Sequence, residues 1–490
     1  MPLKLPDKFN QKKTFFNLLS NNYVIAIVLL LIHIPFINAD PFVLLDNSRG
    51  AFTDEGLYLY QISNYLKGFG FDINGSDGFL KTPIYNLLVA PFHHFFGILG
   101  VRFICLFYFI IAVLQLLKNS FFRYKLLVIL LILSLPTIFF HIHLAMAEIL
   151  AISFLIISFQ TLFSVQLDKK YWSLVYFLFA IGCKIQFAYL LFLLPLYIIY
   201  LPSLSLNKHR RALVIILLLV LSTLIFLILN WQSYCYIISN QSQGKFQEFG
   251  HLLLRLKINL TFIFQNIYNK LFLIFFLLLL SAYLFLSFSK KIKFKPILLL
   301  LGFWLLIESH KLFLIYLPQR YLFSWFCAIG LLFYYLFYEI LSFSTKSKFV
   351  LLGINIILFF ACIYQYLFYT QTINHQVNNA QEIVKKYAKN STVIAGPWAP
   401  SLGLDLPNKT STAWFNYYEN TTLWNNENSL IIAETNFADN DSVFIKRLDA
   451  KLQLIMIDSF IIKDWKIGVF KLTQITPKIL VFNSEAWKQY

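Results

Sequence analysis

Long apolar runs separated by short basic loops dominate this chain from about residue 20 to residue 369. Tyr23–Ala39, Ile149–Val165 and Leu213–Leu229 are examples of such runs. Each comes close to the ~20 apolar residues that an α-helix needs to cross a bilayer. The pattern therefore predicts a polytopic α-helical membrane protein with about eleven transmembrane helices.

The basic residues of the loops predict the orientation of these helices. Lys12 and Lys13 precede the first run, and lysines and arginines return in alternate loops, which is the bias of cytoplasmic loops. The N-terminus is therefore expected in the cytoplasm, with residues 40–101 as a first external loop that contains amphipathic helices. The first run also has features of a secretory signal cleaved after Ala39, but its length favours a retained helix.

The composition supports this assignment and explains the charge. Of the 490 residues, 59% are hydrophobic and 13% are charged, with a mean hydropathy of +0.67. The formal net charge is +18, but the lysines and arginines lie mostly in the short loops. Because this charge pattern reflects topology, no nucleic-acid partner is expected.

The character of the chain changes near Thr370, where the long apolar runs stop. Asn378–Lys389 has a helical pattern, and Ser429–Ala433 and Leu452–Ile457 have the composition of strands. Residues 1–369 are thus predicted to form the membrane domain, and residues 370–490 a small α/β domain on the outer side.

The few ionisable residues on the outer side are the candidates for chemistry, because charges are costly near hydrocarbon. Asp54 and Glu55 stand in the first external loop, where Thr53 is placed to cap a helix and Tyr58 and Ile62 recur at helical spacing. This predicts an amphipathic helix along the membrane surface with both carboxylates at its N-terminal end. Alternatively, the two acids only complement the helix dipole.

Six short elements follow one another on the predicted outer side. They are Asp54-Glu55, Lys81-Thr82-Pro83-Ile84-Tyr85, Arg102, Ala145-Met146-Ala147-Glu148, Lys184 and Arg320-Tyr321-Leu322. In this order they resemble the GT-C superfamily of polyprenyl-phosphate-sugar-dependent glycosyltransferases, which includes protein O-mannosyltransferases and the lipid A aminoarabinose transferase. The element that ends at Glu148 is shorter than the pattern of the family.

The resemblance implies an inverting transfer of a sugar from a polyprenyl-phosphate donor to a lipid, glycan or protein acceptor. The catalytic carboxylates that it implies are Asp54 as the general base, Glu55 and Glu148. The residues that it implies for binding the donor phosphate are Lys81, Arg102, Lys184 and Arg320. The residues that it implies for the substrate pocket are Tyr58, Tyr85 and Tyr321.

Each basic residue also has a purely structural interpretation. Lys81 is suited to snorkelling at the interface, Arg102 to anchoring a helix end, and Lys184 to pairing with Glu148. No metal or other cofactor is expected, because His141 and His143 are two positions apart at a helix end and face different directions.

A transporter or lipid flippase is the alternative function, and a scaffold protein is a third class. Against transport, the acidic pair lies in a surface loop and the chain shows no inverted repeat of broken helices. By analogy with the family, we expect a bacterial inner membrane with the C-terminal domain in the periplasm.

Overall fold

The computed structural model describes residues 21–42, 50–70, 77–118, 129–130, 132–133, 135–164, 169–201, 206–232, 234–235, 251–289, 295–314, 317–343, 345–412, 428–435 and 451–474. The helices of these residues are α1 (Asn22–His33), α2 (Gly50–Leu66), α3 (Asp77–Lys81), α4 (Pro83–Lys118), α5 (Pro136–His141), α6 (Ala147–Leu162), α7 (Trp172–Cys183), α8 (Leu194–Tyr200), α9 (Leu206–Leu229), α10 (Leu252–Gln265), α11 (Ile267–Phe288), α12 (Pro296–Glu308), α13 (Phe323–Phe343), α14 (Thr345–Gln371), α15 (Gln376–Ala388) and α16 (Ala399–Leu402). Short 3-10 helices cover Ile34–Phe36, Ile185–Leu193, Ser309–Phe313 and Gln319–Leu322.

Five described helical stretches are long and apolar enough to cross a membrane: Pro83–Leu117, Ile267–Phe288, Pro296–Phe313, Gln319–Ile340 and Ile356–Ala388. Shorter apolar helices cover Asn22–Phe36, Ala147–Leu162, Trp172–Cys183, Ile185–Tyr200 and Leu213–Leu229. Large apolar side chains on α9 and α11, such as Leu217, Ile225 and Phe285, are exposed. A bilayer is the environment that covers such a surface. Part of the predicted third transmembrane helix, and the N-terminal lysines, lie outside the described residues.

Helix α4 begins within residues 40–101, the predicted first external loop, and continues into the membrane. It starts at Pro83 and bends at Gly97, where φ is 59° and ψ is −154°. Glycine adopts this positive φ without steric cost. His93 lies before the bend, and its Nε2 is 3.5 Å from Oδ1 of Asp405 in the C-terminal domain. The bend therefore separates a part of α4 that contacts this domain from a part that crosses the membrane.

The C-terminal domain contains a five-stranded mixed sheet. Its strands are β1 (Val393–Ala395), β2 (Lys409–Ser411), β3 (Ser429–Glu434), β4 (Leu452–Ile462) and β5 (Trp465–Gln474), in the order β2-β1-β3-β5-β4. β1 pairs in parallel with β2 and β3, and β5 pairs antiparallel with β3 and β4. Helix α15 packs against β4. The helix and the two strands that the pattern predicts are thus present, with boundaries shifted by a few residues.

The entry to this domain is fastened to the end of the first membrane helix. The Asp40 carboxylate accepts the backbone N–H groups of Gln376 (2.6 Å) and Val377 (3.1 Å) at the start of α15. Burial raises the pKa of Asp40 to about 6, although these hydrogen bonds oppose the shift. Asp40 therefore caps a helix that lies more than 300 positions further along the chain.

Helix α2 differs from the predicted surface helix in two respects. It begins at Gly50, so Thr53 lies inside the helix and is not its cap. Residues 52–64 are all buried, because the membrane helices cover one side and the C-terminal domain covers the other. Ser401 Oγ donates to the Phe52 carbonyl (2.7 Å), and Asn64 exchanges two hydrogen bonds with the backbone of Thr410 (2.7 and 2.9 Å). The prediction of an amphipathic helix on the surface was wrong, since a second domain replaces water on its polar face.

Helix α2 lies very close to the C-terminal domain at Gly56, and Gly56→Ala is expected to destabilise the protein. A Cβ at this position would lie 2.2 Å from the Pro400 carbonyl oxygen, which belongs to the backbone. Overpacking of this kind costs about 1–3 kcal/mol. Thermal unfolding of the purified protein should therefore occur at a lower temperature.

Gly302→Ala is the matched control for this substitution. Gly302 lies in α12, and a Cβ there meets nothing within 4 Å. Alanine favours a helix over glycine by about 1 kcal/mol, so this variant should be as stable as the wild type or more stable. Equal melting temperatures for the two variants would contradict the tight contact at Gly56.

Candidate active site

Four buried ion pairs stand out among the described residues. They are Glu55–Arg102, Asp54–Arg320, Glu148–Lys184 and Glu308–Lys311. All eight side chains are at most 12% exposed. Burying charges this deeply is costly unless each is paired. The structure thus brings Asp54, Glu55, Glu148, Arg102, Lys184 and Arg320, all singled out in the sequence, into ion pairs with one another.

The Glu55–Arg102 pair ties four parts of the chain together. Arg102 Nε and Nη2 donate to the two Glu55 carboxylate oxygens, at 2.9 and 2.6 Å. Its Nη1 donates to the carbonyls of Ile37 (2.9 Å) and Ala39 (3.0 Å). The Ala145 backbone N–H also donates to Glu55, at 2.5 Å. Arg102 therefore uses all three of its nitrogens on protein groups, which favours the interpretation that it anchors helix ends.

Asp54, the predicted general base, is held by Arg320. Arg320 Nε donates to Asp54 Oδ2 at 2.8 Å. The Arg320 guanidinium lies 5.1 Å from the centre of the Tyr321 ring, and it fills the space beside Gly50, where a Cβ would be 2.2 Å from its Nη2. The guanidinium thus lies between a backbone and an aromatic face, and it donates a hydrogen bond to Asp54.

Glu148 and Lys184 contact each other directly, as the structural alternative for Lys184 proposed. Lys184 Nζ donates to Glu148 Oε1 and also to the Tyr58 hydroxyl, at 3.4 Å. The other oxygen, Glu148 Oε2, is buried and has no hydrogen-bond partner among the described residues. Burial, followed by the charges of Glu148 and Asp54, raises the pKa of Tyr58 well above its ordinary value. The Tyr58 hydroxyl therefore stays protonated and accepts a hydrogen bond from Lys184.

Tyr85 supports this region from α4. Its hydroxyl donates to the Ala145 carbonyl at 2.6 Å, and its ring lies 6.4 Å from that of Tyr58 in an edge-on arrangement. Because Ala145 also binds Glu55 through its N–H, Tyr85 and Glu55 together fix the segment that precedes Glu148. Tyr85 and Tyr58 are thus part of the same buried network as the carboxylates.

Lys81, a predicted phosphate-binding residue, belongs to none of the four buried ion pairs. It is the last residue of α3 and is partly exposed. Helix α3 packs against α2 and against the 3-10 helix that follows Lys184. Lys81 is therefore on the same side of α2 as Lys184, and its role in phosphate binding stays a prediction.

A buried cluster around Glu308 was not predicted from the sequence. The fully buried Glu308 carboxylate accepts hydrogen bonds from Tyr189 (2.7 Å), Trp304 (3.1 Å), Ser324 (2.6 Å) and Lys311 (2.6 Å). Lys311 lies 5.2 Å from the centre of the Phe187 ring, and Lys184 lies 5.9 Å from the same ring. An acid and a lysine three positions apart between apolar runs are the signal that the sequence offers for this cluster.

Metal binding receives no support from the described residues, which contain no group of three or more His, Cys, Asp or Glu side chains placed to hold an ion. His33 and His143 lie close together, with ring centres 5.9 Å apart, but Phe36 and Phe139 surround them. The expectation that the protein needs no metal stays a prediction.

The arrangement defines a polytopic α-helical membrane protein with a small α/β domain that covers a buried charged site. The structure is similar to the crystal structure of ArnT from Cupriavidus metallidurans bound to undecaprenyl phosphate, with a TM-score of 0.58 and 14% sequence identity. The match covers 91% of this chain and 97% of that one. No family model matches the sequence, and the comparison with curated proteins found no match. The predicted fold class is therefore confirmed.

Proposed function

We propose that this protein is a membrane glycosyltransferase that moves a sugar from a polyprenyl-phosphate carrier to an acceptor at the outer face of the membrane. The observation that carries the proposal is the Asp54–Arg320 pair, a carboxylate and a guanidinium 2.8 Å apart in a buried site. Clusters of buried ionisable groups are frequent at functional sites. The similarity of the fold to ArnT, which was crystallised with undecaprenyl phosphate, supports this class of carrier.

The chemistry needs one base and a cation for the leaving group. Asp54 takes the proton from an acceptor hydroxyl or amine, whose lone pair forms a bond to the anomeric carbon of the sugar. The bond from that carbon to the phosphate oxygen breaks, and its electron pair stays on the phosphate. Attack from the opposite face inverts the anomeric centre. Arg320 stabilises the phosphate as its charge grows.

The remaining site residues have supporting roles in this proposal. Lys184 and Lys81 provide further positive charge for the phosphate, and Glu148 keeps Lys184 in place beside Tyr58. Glu55 shapes the acceptor side and is itself held by Arg102. In this scheme Arg102 acts by positioning Glu55, since its nitrogens already bind protein groups.

The setting that fits this activity is a bacterial inner membrane with the N-terminus in the cytoplasm and the C-terminal domain in the periplasm. The acceptor is a lipid, a glycan or a protein. A site between α2 and the membrane helices suits this transfer, because polyprenyl carriers enter from the membrane and acceptor groups approach from its outer surface.

A transfer assay tests the proposal. The full chain in lipid nanodiscs is incubated with radiolabelled undecaprenyl-phosphate sugars and a membrane extract that supplies acceptors. We expect labelled acceptor of inverted configuration and an equal amount of released undecaprenyl phosphate. Absence of transfer with every donor, combined with movement of a labelled lipid between leaflets of vesicles that contain the protein, would identify a flippase instead.

A further inference from the structure

The four buried ion pairs are balanced in charge before any substrate binds. Each of the four buried cations in the ion pairs already contacts a carboxylate. The pairs differ in how accessible the acid is: the Asp54 side chain is 12% exposed, compared with 0% for Glu308. An anion that binds any of these four cations therefore has to compete with a carboxylate, and Asp54 is the most accessible of the four carboxylates.

The reaction changes the charge on both groups that compete for Arg320. A polyprenyl-phosphate sugar carries one negative charge on its phosphodiester. After the carbon–oxygen bond breaks, the released polyprenyl phosphate carries up to two, because the electron pair remains on the phosphate oxygen. Asp54 becomes neutral when it takes the proton. The attraction of Arg320 thus shifts from Asp54 towards the phosphate as the reaction proceeds.

The surroundings of Arg320 restrict the movement of its guanidinium. Pro318 precedes the 3-10 helix Gln319–Leu322 that carries it, and its guanidinium is confined by Gly50 and the Tyr321 ring. The Asp54 carboxylate has only a short side chain, and a rotation of that side chain is enough to turn it away from Arg320. The exchange therefore requires a change of the Asp54 rotamer.

We propose that Arg320 is a switch residue at which the donor phosphate replaces Asp54, so that the base becomes free only after the donor has bound. The inference rests on the proposed function and extends it to an order of events. In the free enzyme the Arg320 ion pair keeps Asp54 from acting as a base. Donor binding moves the guanidinium charge to the phosphate, and the released carboxylate then turns towards the acceptor.

Binding of undecaprenyl phosphate tests this exchange without any turnover. The affinity of the purified full chain for this lipid is measured in detergent for wild type, Asp54→Asn, Arg320→Gln and the double variant. Asp54→Asn removes the competing charge and is expected to tighten binding by roughly tenfold, the change that ~1.4 kcal/mol produces. Arg320→Gln is expected to weaken binding by a similar factor. In the double variant, the gain in affinity from Asp54→Asn should vanish, because the guanidinium of Arg320 is absent.

Asp458→Asn is the matched control for a lost carboxylate. Asp458 accepts a hydrogen bond from the Tyr387 hydroxyl (3.0 Å) in the C-terminal domain and touches none of the four ion pairs. The affinity of the Asp458→Asn variant for undecaprenyl phosphate should therefore equal that of wild type. Unchanged affinity of Asp54→Asn, or a gain that persists without Arg320, would overturn the exchange while leaving the proposed function intact. Absence of binding by folded wild-type protein would overturn both.

Discussion

Asp54→Asn is expected to lower kcat for sugar transfer by about 10²–10⁴-fold, which is the contribution of a well-placed general base. Asparagine has the same shape as aspartate, but its side-chain amide does not take a proton from the hydroxyl or amine of the sugar acceptor. The KM for the donor should not rise, because removing the Asp54 charge leaves Arg320 available to the phosphate. Initial rates at varied donor concentration separate these two effects.

Two further variants make the Asp54 measurement decisive. Asp458→Asn should transfer sugar at the wild-type rate, since this residue lies in the C-terminal sheet. Asp54→Glu retains a base in a displaced position and should recover part of the lost rate. If Asp54→Asn transfers as fast as wild type with an unchanged melting temperature, Asp54 is not the base, and Glu55 or Glu148 becomes the candidate.

Arg102→Met is expected to cause the largest loss of stability, about 3–5 kcal/mol, which is the usual effect of removing one partner from a buried ion pair. Glu55 would keep a buried charge with only the Ala145 N–H as a described donor, and the carbonyls of Ile37 and Ala39 would lose theirs. The melting temperature of the purified protein should fall well below that of wild type.

The double variant Glu55→Gln with Arg102→Met tests the physical reason for this effect. Replacing the carboxylate by an amide removes the unpaired charge, so the double variant should be more stable than Arg102→Met alone. A stable Arg102→Met protein that has lost affinity for undecaprenyl phosphate would contradict the anchoring role. That result would assign Arg102 to the phosphate site, as the resemblance to the GT-C superfamily implies.

The membrane class and the main acidic residues were predictable because both follow from local physical costs. A run of about twenty apolar residues is unstable in water wherever it occurs in a chain. A charge such as Asp54 or Glu55 beside such runs is expensive, and it therefore attracts attention without knowledge of its neighbours. Strands such as Ser429–Glu434 were also predictable, because their composition matches a buried β-strand.

The partners of these residues were decided only by the tertiary structure. Asp54 meets Arg320 across 266 positions of sequence, and Glu55 meets Arg102 across 47. No local pattern encodes such a separation. The Glu308 cluster was missed for the same reason, since Tyr189 and Ser324, which complete it, carry no charge and lie in other segments.

The environment of α2 most clearly separates what the local sequence determines from what the tertiary structure determines. Tyr58 and Ile62 correctly indicate a helix, because the 3.6-residue period is a local property. The sequence by itself thus determined that this segment is helical and that it carries two acids. Whether its polar face meets water or protein depends on what packs there, and the C-terminal domain decides this through Ser401 and Thr410. Burial of Asp54 and Glu55, and with it their pairing, is therefore a property of the assembled fold.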